Sequence, residues 1–145
     1  MVEIGGEVFA KGIKPTGKNW TIGIEKPFEN QEENPLIAVA QLNNKALATS
    51  GDYRKFTIIN GQKFTHIINP KTGIPVKSNL VSVSVIANDC MTADAYATAL
   101  MVMGLEHSIT FLKSHPSLQA IMVYVDDKGE FQIFKTKKLT TIIKL

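Results

Sequence analysis

The chain has 145 residues, which is long enough for one domain with a hydrophobic core of its own. Hydrophobic residues make up 44% and charged residues 20%, a balance that is typical of a globular protein and excludes an intrinsically disordered one. The formal charge of +3 is spread along the chain, whereas a nucleic-acid interface concentrates positive charge on one face. We therefore expect no nucleic-acid partner, and the mild basicity is compatible with a phosphate-bearing small ligand.

The single cysteine, Cys90, excludes an internal disulfide and a cysteine-based zinc cluster. Met1 is followed by Val2 and Glu3 with no basic start and no long apolar run, so we expect no signal peptide in this chain. No apolar stretch approaches the roughly 20 residues of a membrane-spanning helix.

Short strands and turns account for the first half of the chain. Paired glycines at 5–6 separate two short strands, and the polar segment 27–35 is typical of an exposed loop. Asn43-Asn44 and Asn60-Gly61 predict two hairpin turns, and 69–73 predicts another turn. The strands predicted from alternation and turn signals are 2–4, 7–10, 20–25, 36–42, 45–50, 53–59, 63–68 and 80–87.

The hydrophobic period changes after Asn88-Asp89. Residues 91–104 are rich in Ala, Met and Leu, contain no proline and end on Gly104, which predicts a helix. A second helix is predicted over 105–113, before Pro116, and strands follow at 120–125, 131–134 and 140–144 with a turn at 126–129. Antiparallel strands with a helical pair predict an α+β fold.

Asp94 and Thr98 are four residues apart, so on a helix their side chains share a face. A carboxylate and a hydroxyl offer two hard oxygens to Mg²⁺, which often takes its other ligands from water and substrate phosphates. Asp94 is also expected near the helix start, where the helix dipole favours a phosphate. An acid in a first turn equally well stabilises the helix and nothing more, so the pattern leaves both interpretations open.

His66 stands at the end of a predicted strand, immediately before the tight turn at 69–73. Strand ends commonly present functional side chains to a ligand. A lone histidine is also often structural, and the pattern does not choose between the two roles.

The segment 48–54 combines small residues with ligand-binding types. Thr49, Ser50 and Gly51 allow close approach of a ligand, Tyr53 could stack on a planar ring and Arg54 could meet a phosphate. An ordinary turn with solvent-facing Asp and Arg explains the pattern equally well.

Gly5 and Gly6 lie between two predicted strands, where they permit a bulge or close contact with a ligand. The carboxylate of Glu7 could accept hydrogen bonds from a ribose or an adenine. From the pattern alone, a simple bulge is the better interpretation.

The order of these motifs is more specific than any one of them. The series is Ile4-Gly5-Gly6-Glu7, Trp20 with Gly23-Ile24 and Pro27, Ala48-Thr49-Ser50-Gly51-Asp52-Tyr53, His66-Ile67-Ile68-Asn69-Pro70-Lys71-Thr72-Gly73, and Thr92-Ala93-Asp94-Ala95 with Thr98-Ala99 and Gly104. From Val2 to at least Gly104, the series resembles the ApbE family of FAD:protein FMN transferases.

The resemblance implies Mg²⁺-dependent transfer of FMN from FAD to a threonine or serine hydroxyl of an acceptor redox protein, with release of AMP. It implies metal ligation by Asp94 and Thr98 and a catalytic role for His66 and Asp94. Whether His66 is the general base or only positions the nucleotide stays open. The implied flavin-nucleotide contacts are Gly6, Glu7, Thr49, Ser50, Gly51, His66 and Ala97.

The resemblance also implies a larger protein. Full members carry an N-terminal half that supplies a further metal ligand and much of the FAD pocket, so we expect 1–145 to be the C-terminal part of a T-fold-like transferase domain, impaired when alone. Members are commonly exported, which implies a periplasmic or membrane-anchored parent lipoprotein. FAD or nucleotide binding without catalysis, and metal-dependent hydrolysis of FAD to FMN and AMP, remain alternatives.

A chain that carries half of a domain exposes apolar surface that the other half would cover. We therefore predict that this chain self-associates. Size-exclusion chromatography with light scattering should give a mass of at least two chains, and a clean monomer would contradict the prediction.

Overall fold

The computed structural model describes residues 1–27, 36–51, 56–59, 62–137, 139 and 141–143. Within these ranges the chain forms strands and two helices in the order β1 (Val2–Ile4), β2 (Glu7–Ala10), β3 (Trp20–Glu25), β4 (Leu36–Leu42), β5 (Lys45–Gly51), β6 (Phe56–Ile59), β7 (Gln62–Thr65), β8 (Leu80–Ala87), α1 (Cys90–Met103), α2 (Leu105–Ser114), β9 (Gln119–Val125), β10 (Phe131–Lys135) and β11 (Thr141–Ile143). Neither helix is long and apolar enough to cross a membrane.

The main sheet has six strands in the order β1-β2-β5-β8-β9-β10, and each neighbouring pair is antiparallel. A second sheet has the order β11-β4-β3, and β6 pairs with β7 as a separate hairpin. The predicted α+β class with mostly antiparallel strands and a helical pair is confirmed.

The central strands β5, β8 and β9 of the main sheet are buried on both faces. Successive side chains of a strand point to opposite faces, so Ala46 and Ala48 of β5 pack under the helices, whereas Leu47 packs toward the three-stranded sheet. On β8, Val85 packs under the helices and Ile86 packs toward the three-stranded sheet. The chain therefore forms three layers: two helices, the main sheet and the smaller sheet.

Helix α1 has well-defined ends. The Asp89 side chain caps its start by accepting hydrogen bonds from the Thr92 backbone N–H at 2.8 Å and the Thr92 hydroxyl at 2.9 Å. Its end is Gly104, whose φ of 75° is costly for other residues and whose N–H donates to the Leu100 carbonyl. Helix α2 begins at the next residue, so both predicted helices are confirmed to within one residue at each end.

The two predicted hairpins have different outcomes. The pairing expected around 60–61 is confirmed by the register Ile59↔Gln62 between β6 and β7, while the two turn residues lie outside the described residues. The hairpin predicted at Asn43-Asn44 is wrong. Strand β4 pairs with β3 and β11, whereas β5 pairs with β2 and β8.

The physical reason is the hydrophobic core between the sheets. Leu42 of β4 and Leu47 of β5 both contribute to the buried cluster between the sheets, and the two strands belong to different sheets. Asn44, with φ of 51°, turns the chain from one sheet to the other, and its side-chain oxygen accepts a hydrogen bond from the Gly12 N–H at 2.9 Å.

Gly5 and Gly6 form a two-residue hairpin turn, not a bulge. Ile4 pairs with Glu7 directly across the turn, and both glycines have positive φ, at 68° and 106°.

The strand predicted at 63–68 ends earlier, at Thr65, and the one at 53–59 is described only from Phe56. Of the loop predicted at 27–35, only Pro27 is described, and it is buried.

The buried junction between the helices generates a stability prediction. Ser108 on α2 is fully buried and donates a hydrogen bond to the Leu100 carbonyl on α1 at 2.9 Å. Ser108→Ala should lower the free energy of unfolding in urea by about 1–2 kcal/mol, because the carbonyl keeps only its bond from Gly104. Thr110→Ala, which removes an exposed bond to the Glu106 carbonyl, should change it by less than about 0.5 kcal/mol. Equal losses in the two variants would contradict this account.

Candidate active site

A cleft of about 600 Å³ lies beside the end of β5 and brings most of the predicted site residues together. It is bordered by the β1–β2 turn, β3, β5, His66 and one side of α1. Its lining residues are Glu3, Gly5, Gly6, Glu7, Val8, Ile22, Gly23, Ile24, Glu25, Leu47, Thr49, Ser50, Gly51, His66, Asp94 and Thr98. Segments up to 95 residues apart in sequence therefore meet at one place.

Asp94 and Thr98 lie on the same exposed side of α1, as their spacing predicts. The Thr98 Oγ1 atom is 2.7 Å from the Oγ atom of Ser50 on β5. This hydrogen bond places two hydroxyls and, one helical turn away, a carboxylate on the wall of the cleft. All three groups present hard oxygen atoms of the kind that Mg²⁺ prefers.

The helix start is not part of the cleft. Helix α1 begins at Cys90, one residue before the predicted start, and has no acidic residue in its first turn, so Asp94 lies just beyond that turn. The Thr92 N–H donates to the Asp89 side chain and is therefore not available to a ligand. Asp94 therefore lies after the first turn and not within it, and the cleft is lined by the side of the helix, at Asp94 and Thr98.

Thr49 presents its hydroxyl on the opposite face of β5 from Ser50. Its Oγ1 atom is 2.8 Å from the Oγ atom of Ser84 on β8, and Ser84 is buried. Sequence reasoning missed Ser84. The available signal was the alternation Val81-Ser82-Val83-Ser84-Val85, which puts two hydroxyls on one face of an otherwise apolar strand.

His66 follows β7 directly and is exposed at the cleft. Its neighbours in sequence hold the backbone: Ile67 is buried, its N–H bonds to the Thr65 hydroxyl at 3.2 Å, and its carbonyl accepts from the Val76 N–H at 2.9 Å. The imidazole is therefore carried on a segment that is fixed on both sides.

The turn after His66 is confirmed and is organised by Asn69. The Asn69 carbonyl accepts from the N–H groups of Thr72 at 3.2 Å and Gly73 at 2.8 Å. Its side-chain oxygen accepts from the Lys71 N–H at 2.9 Å. Gly73 has φ of 71°, which explains the glycine at this position. Asn69 was not among the predicted site residues, and its contribution is to fix the segment that carries His66.

Negative charge dominates the cleft. Four carboxylates line it, and none of its described lining residues is lysine or arginine: the four are Glu3, Glu7, Glu25 and Asp94. An anionic ligand would meet repulsion here unless a cation came with it. Among the described residues, no group of three or more His, Cys, Asp or Glu side chains could enclose a metal.

Two of the residues named from the sequence have other surroundings. Ala97 is fully buried in the core beneath α1 and does not line the cleft. Tyr53 and Arg54, which suggested ring stacking and phosphate contact, lie outside the described residues.

Cys90 lies at the start of α1 and is partly buried. Burial raises the pKa of its thiol above the ordinary value, and the negative charges of Glu7 and Asp89 raise it further. Both effects keep the sulfur protonated near neutral pH, which is the opposite of what a nucleophilic cysteine needs.

The model of the ApbE family matches residues 1–122. The chain belongs to the ApbE family. The FAD:protein FMN transferase of Haemophilus influenzae is 41% identical over 145 residues, which are 100% of this chain and 40% of that protein. The corresponding transferase of Escherichia coli is 37% identical over 136 residues, covering 94% of this chain and 37% of the relative.

Solved ApbE-family structures have the same fold. The flavin transferase ApbE from Vibrio cholerae superposes with a TM-score of 0.75 at 37% identity, over 93% of this chain and 41% of that one. The apo flavinyl transferase ApbE from Pseudomonas stutzeri gives a TM-score of 0.74 at 33% identity, over 93% of this chain and 40% of that one. The chain thus spans about two fifths of the length of these relatives.

The electrostatics of the cleft can be tested at Cys90. Alkylation by iodoacetamide should follow a pH profile with a midpoint above that of free cysteine, because only the thiolate reacts. Glu7→Gln removes one of the charges that raise the pKa, so the reaction at pH 8 should accelerate by about twofold. Glu130→Gln, in the exposed turn before β10, is the control and should leave the rate unchanged. A slower reaction in Glu7→Gln would contradict the conclusion that the charge of Glu7 raises the pKa of Cys90.

Proposed function

We propose that this chain forms part of an FAD:protein FMN transferase. The reaction is Mg²⁺-dependent: a threonine or serine hydroxyl of an acceptor redox protein attacks the FMN-side phosphorus of FAD. A new phosphoester bond forms as the hydroxyl gives up its proton, the bond from this phosphorus to the bridging oxygen breaks, and AMP leaves with that oxygen. The proposal rests on family membership together with the chemistry of the cleft.

The observation that carries the proposal is the meeting of Asp94, Thr98 and Ser50 on one wall of a polar cleft, with Thr98 and Ser50 2.7 Å apart. Asp94 and Thr98 would hold Mg²⁺ through a carboxylate and a hydroxyl oxygen. Bound there, Mg²⁺ would neutralise negative charge on the diphosphate as the phosphorus–oxygen bond breaks.

The charge of the cleft supports a cation requirement. FAD carries an anionic diphosphate, and four carboxylates already line the cleft. Without a cation, the diphosphate would enter a site of like charge with no described lysine or arginine to receive it. Nucleotide binding is therefore proposed to depend on Mg²⁺ from the first step, not only during the chemical step.

The remaining lining residues take positioning roles in the proposal. Gly6, Glu7, Thr49 and Gly51 form the wall of the nucleotide pocket, where the small residues leave room for the ligand. His66 contacts the flavin nucleotide close to the reacting phosphorus, on its anchored segment. A positioned nucleophile and a preorganised site together account for much of the rate of phosphoryl transfer.

The chain spans about two fifths of its relatives, so further parts of the pocket are proposed to come from segments that the relatives have in addition. Chain 1–145 would then be a C-terminal portion of the transferase domain. In line with the family resemblance, the parent protein is proposed to be periplasmic or a membrane-anchored lipoprotein.

The test is flavinylation of a threonine-containing acceptor protein by the natural gene product that contains this chain, with FAD and Mg²⁺. Covalent flavin is read as fluorescence on a denaturing gel. Asp94→Ala should reduce the rate by about 100-fold or more, because one of the proposed metal ligands is lost.

Asp127→Ala is the matched control, since Asp127 is an exposed aspartate in the turn between β9 and β10. It should retain the full rate. No labelled acceptor from the unaltered protein, with FMN and AMP released instead, would overturn transfer in favour of hydrolysis. Binding of FAD with neither product would leave a nucleotide-binding module without catalysis.

A further inference from the structure

The hydroxyl pair Ser50–Thr98 joins two elements that are 48 residues apart in sequence, β5 and α1. Both side chains line the cleft. At 2.7 Å one hydroxyl must donate to the other, and the second hydrogen atom points elsewhere. The pair therefore has two arrangements, which differ in whether Ser50 or Thr98 keeps a free hydrogen.

Thr98 does not make the hydrogen bond that a helical threonine usually makes. A threonine hydroxyl in a helix commonly donates to the carbonyl four residues earlier, as Thr110 does to Glu106 at 3.1 Å. Within the described part of the chain, the one hydrogen bond of the Thr98 side chain goes to Ser50. The Thr98 hydroxyl is thus directed away from its own helix and into the cleft wall.

A cation at Thr98 would select one of the two arrangements. A metal ion binds a lone pair of the hydroxyl oxygen and repels its hydrogen, so Thr98 would donate to Ser50. Ser50 then accepts from Thr98, and its own hydrogen is left for an acceptor in the cleft. A buried or half-buried hydroxyl that finds no acceptor is costly, which favours a ligand that supplies one.

We infer that Ser50 is the residue that couples the cation to the nucleotide: with the cation on Thr98, Ser50 donates a hydrogen bond to a phosphate oxygen of the ligand. This inference rests on the proposed function and adds a role for Ser50 beyond lining the pocket. Because coupling between two ligands is reciprocal, Mg²⁺ tightens nucleotide binding and the nucleotide tightens Mg²⁺ binding through this hydroxyl.

The experiment measures FAD binding to the natural gene product by calorimetry, with and without Mg²⁺. The ratio of the two dissociation constants is the coupling factor. Ser50→Ala should reduce this factor by about fivefold or more, the loss of one hydrogen bond to a charged group. Ser50→Thr keeps the hydroxyl and should keep most of the coupling. Thr110→Ala, remote from the cleft, should leave the coupling unchanged.

The melting temperature with and without Mg²⁺ is a second measurement. It distinguishes a loss of coupling in Ser50→Ala from a loss of Mg²⁺ binding or of folding. Mg²⁺ alone should raise the melting temperature of Ser50→Ala nearly as much as that of the unaltered protein, because Asp94 and Thr98 are intact. If Asp94→Ala abolishes the coupling but Ser50→Ala retains all of it, the role of Ser50 is refuted and the proposed function stands. FAD binding that is indifferent to Mg²⁺ in the unaltered protein would overturn both.

Discussion

The alternation of side chains along β5 is the constraint on which the rest of the structure depends. Ala46 and Ala48 are fully buried under the helices, and Leu47 is buried against the smaller sheet, so this strand is held between two cores. At its end the same alternation continues with polar residues. Thr49 bonds to Ser84 on one face and Ser50 bonds to Thr98 on the other. A shift of one residue would turn Thr49 toward α1 and Ser50 toward the other face, and both hydrogen bonds would be lost.

The rigidity of the surrounding elements makes this arrangement useful for chemistry. Helix α1 is capped at Asp89 and closed at Gly104, and its buried residues lie against β5 and β8. Asp94 and Thr98 therefore project from a helix that cannot easily turn relative to Ser50. In the same cleft, the bonded turn at Asn69 fixes the segment that follows His66. Groups on regular or well-bonded elements are held more precisely than groups on loops, which the proposed phosphoryl transfer would require.

Local signals in the sequence were sufficient for most of the fold. The end of α1 follows from Gly104, and the pairing of β6 with β7 follows from residues 60–61, because both depend on the conformations of adjacent residues. The spacing of Asp94 and Thr98 likewise predicted a shared helix face. The sequence did not predict that the chain passes from one sheet to the other between β4 and β5. A two-residue connection can join two strands that pair in one sheet or two strands in stacked sheets. The buried cluster between the two sheets, to which both Leu42 and Leu47 belong, is the non-local feature that accompanies stacking.

The site shows the same division between local and non-local information. The contacts Ser50–Thr98 and Thr49–Ser84 span 48 and 35 residues, and no local pattern specifies such partners. The motif series predicted most of the named residues that gather in the cleft, with Ala97 as the exception, but not which hydroxyl bonds to which. That pairing has a consequence for the electrostatics. In a cleft with four carboxylates and no lysine or arginine among its described lining residues, a bound cation and oriented hydroxyl dipoles would supply attraction for an anion. Thr98, the proposed ligand of the cation, is also the hydrogen-bond partner of Ser50. The two contributions would therefore not be independent, and an anion would be attracted fully only when both are in place.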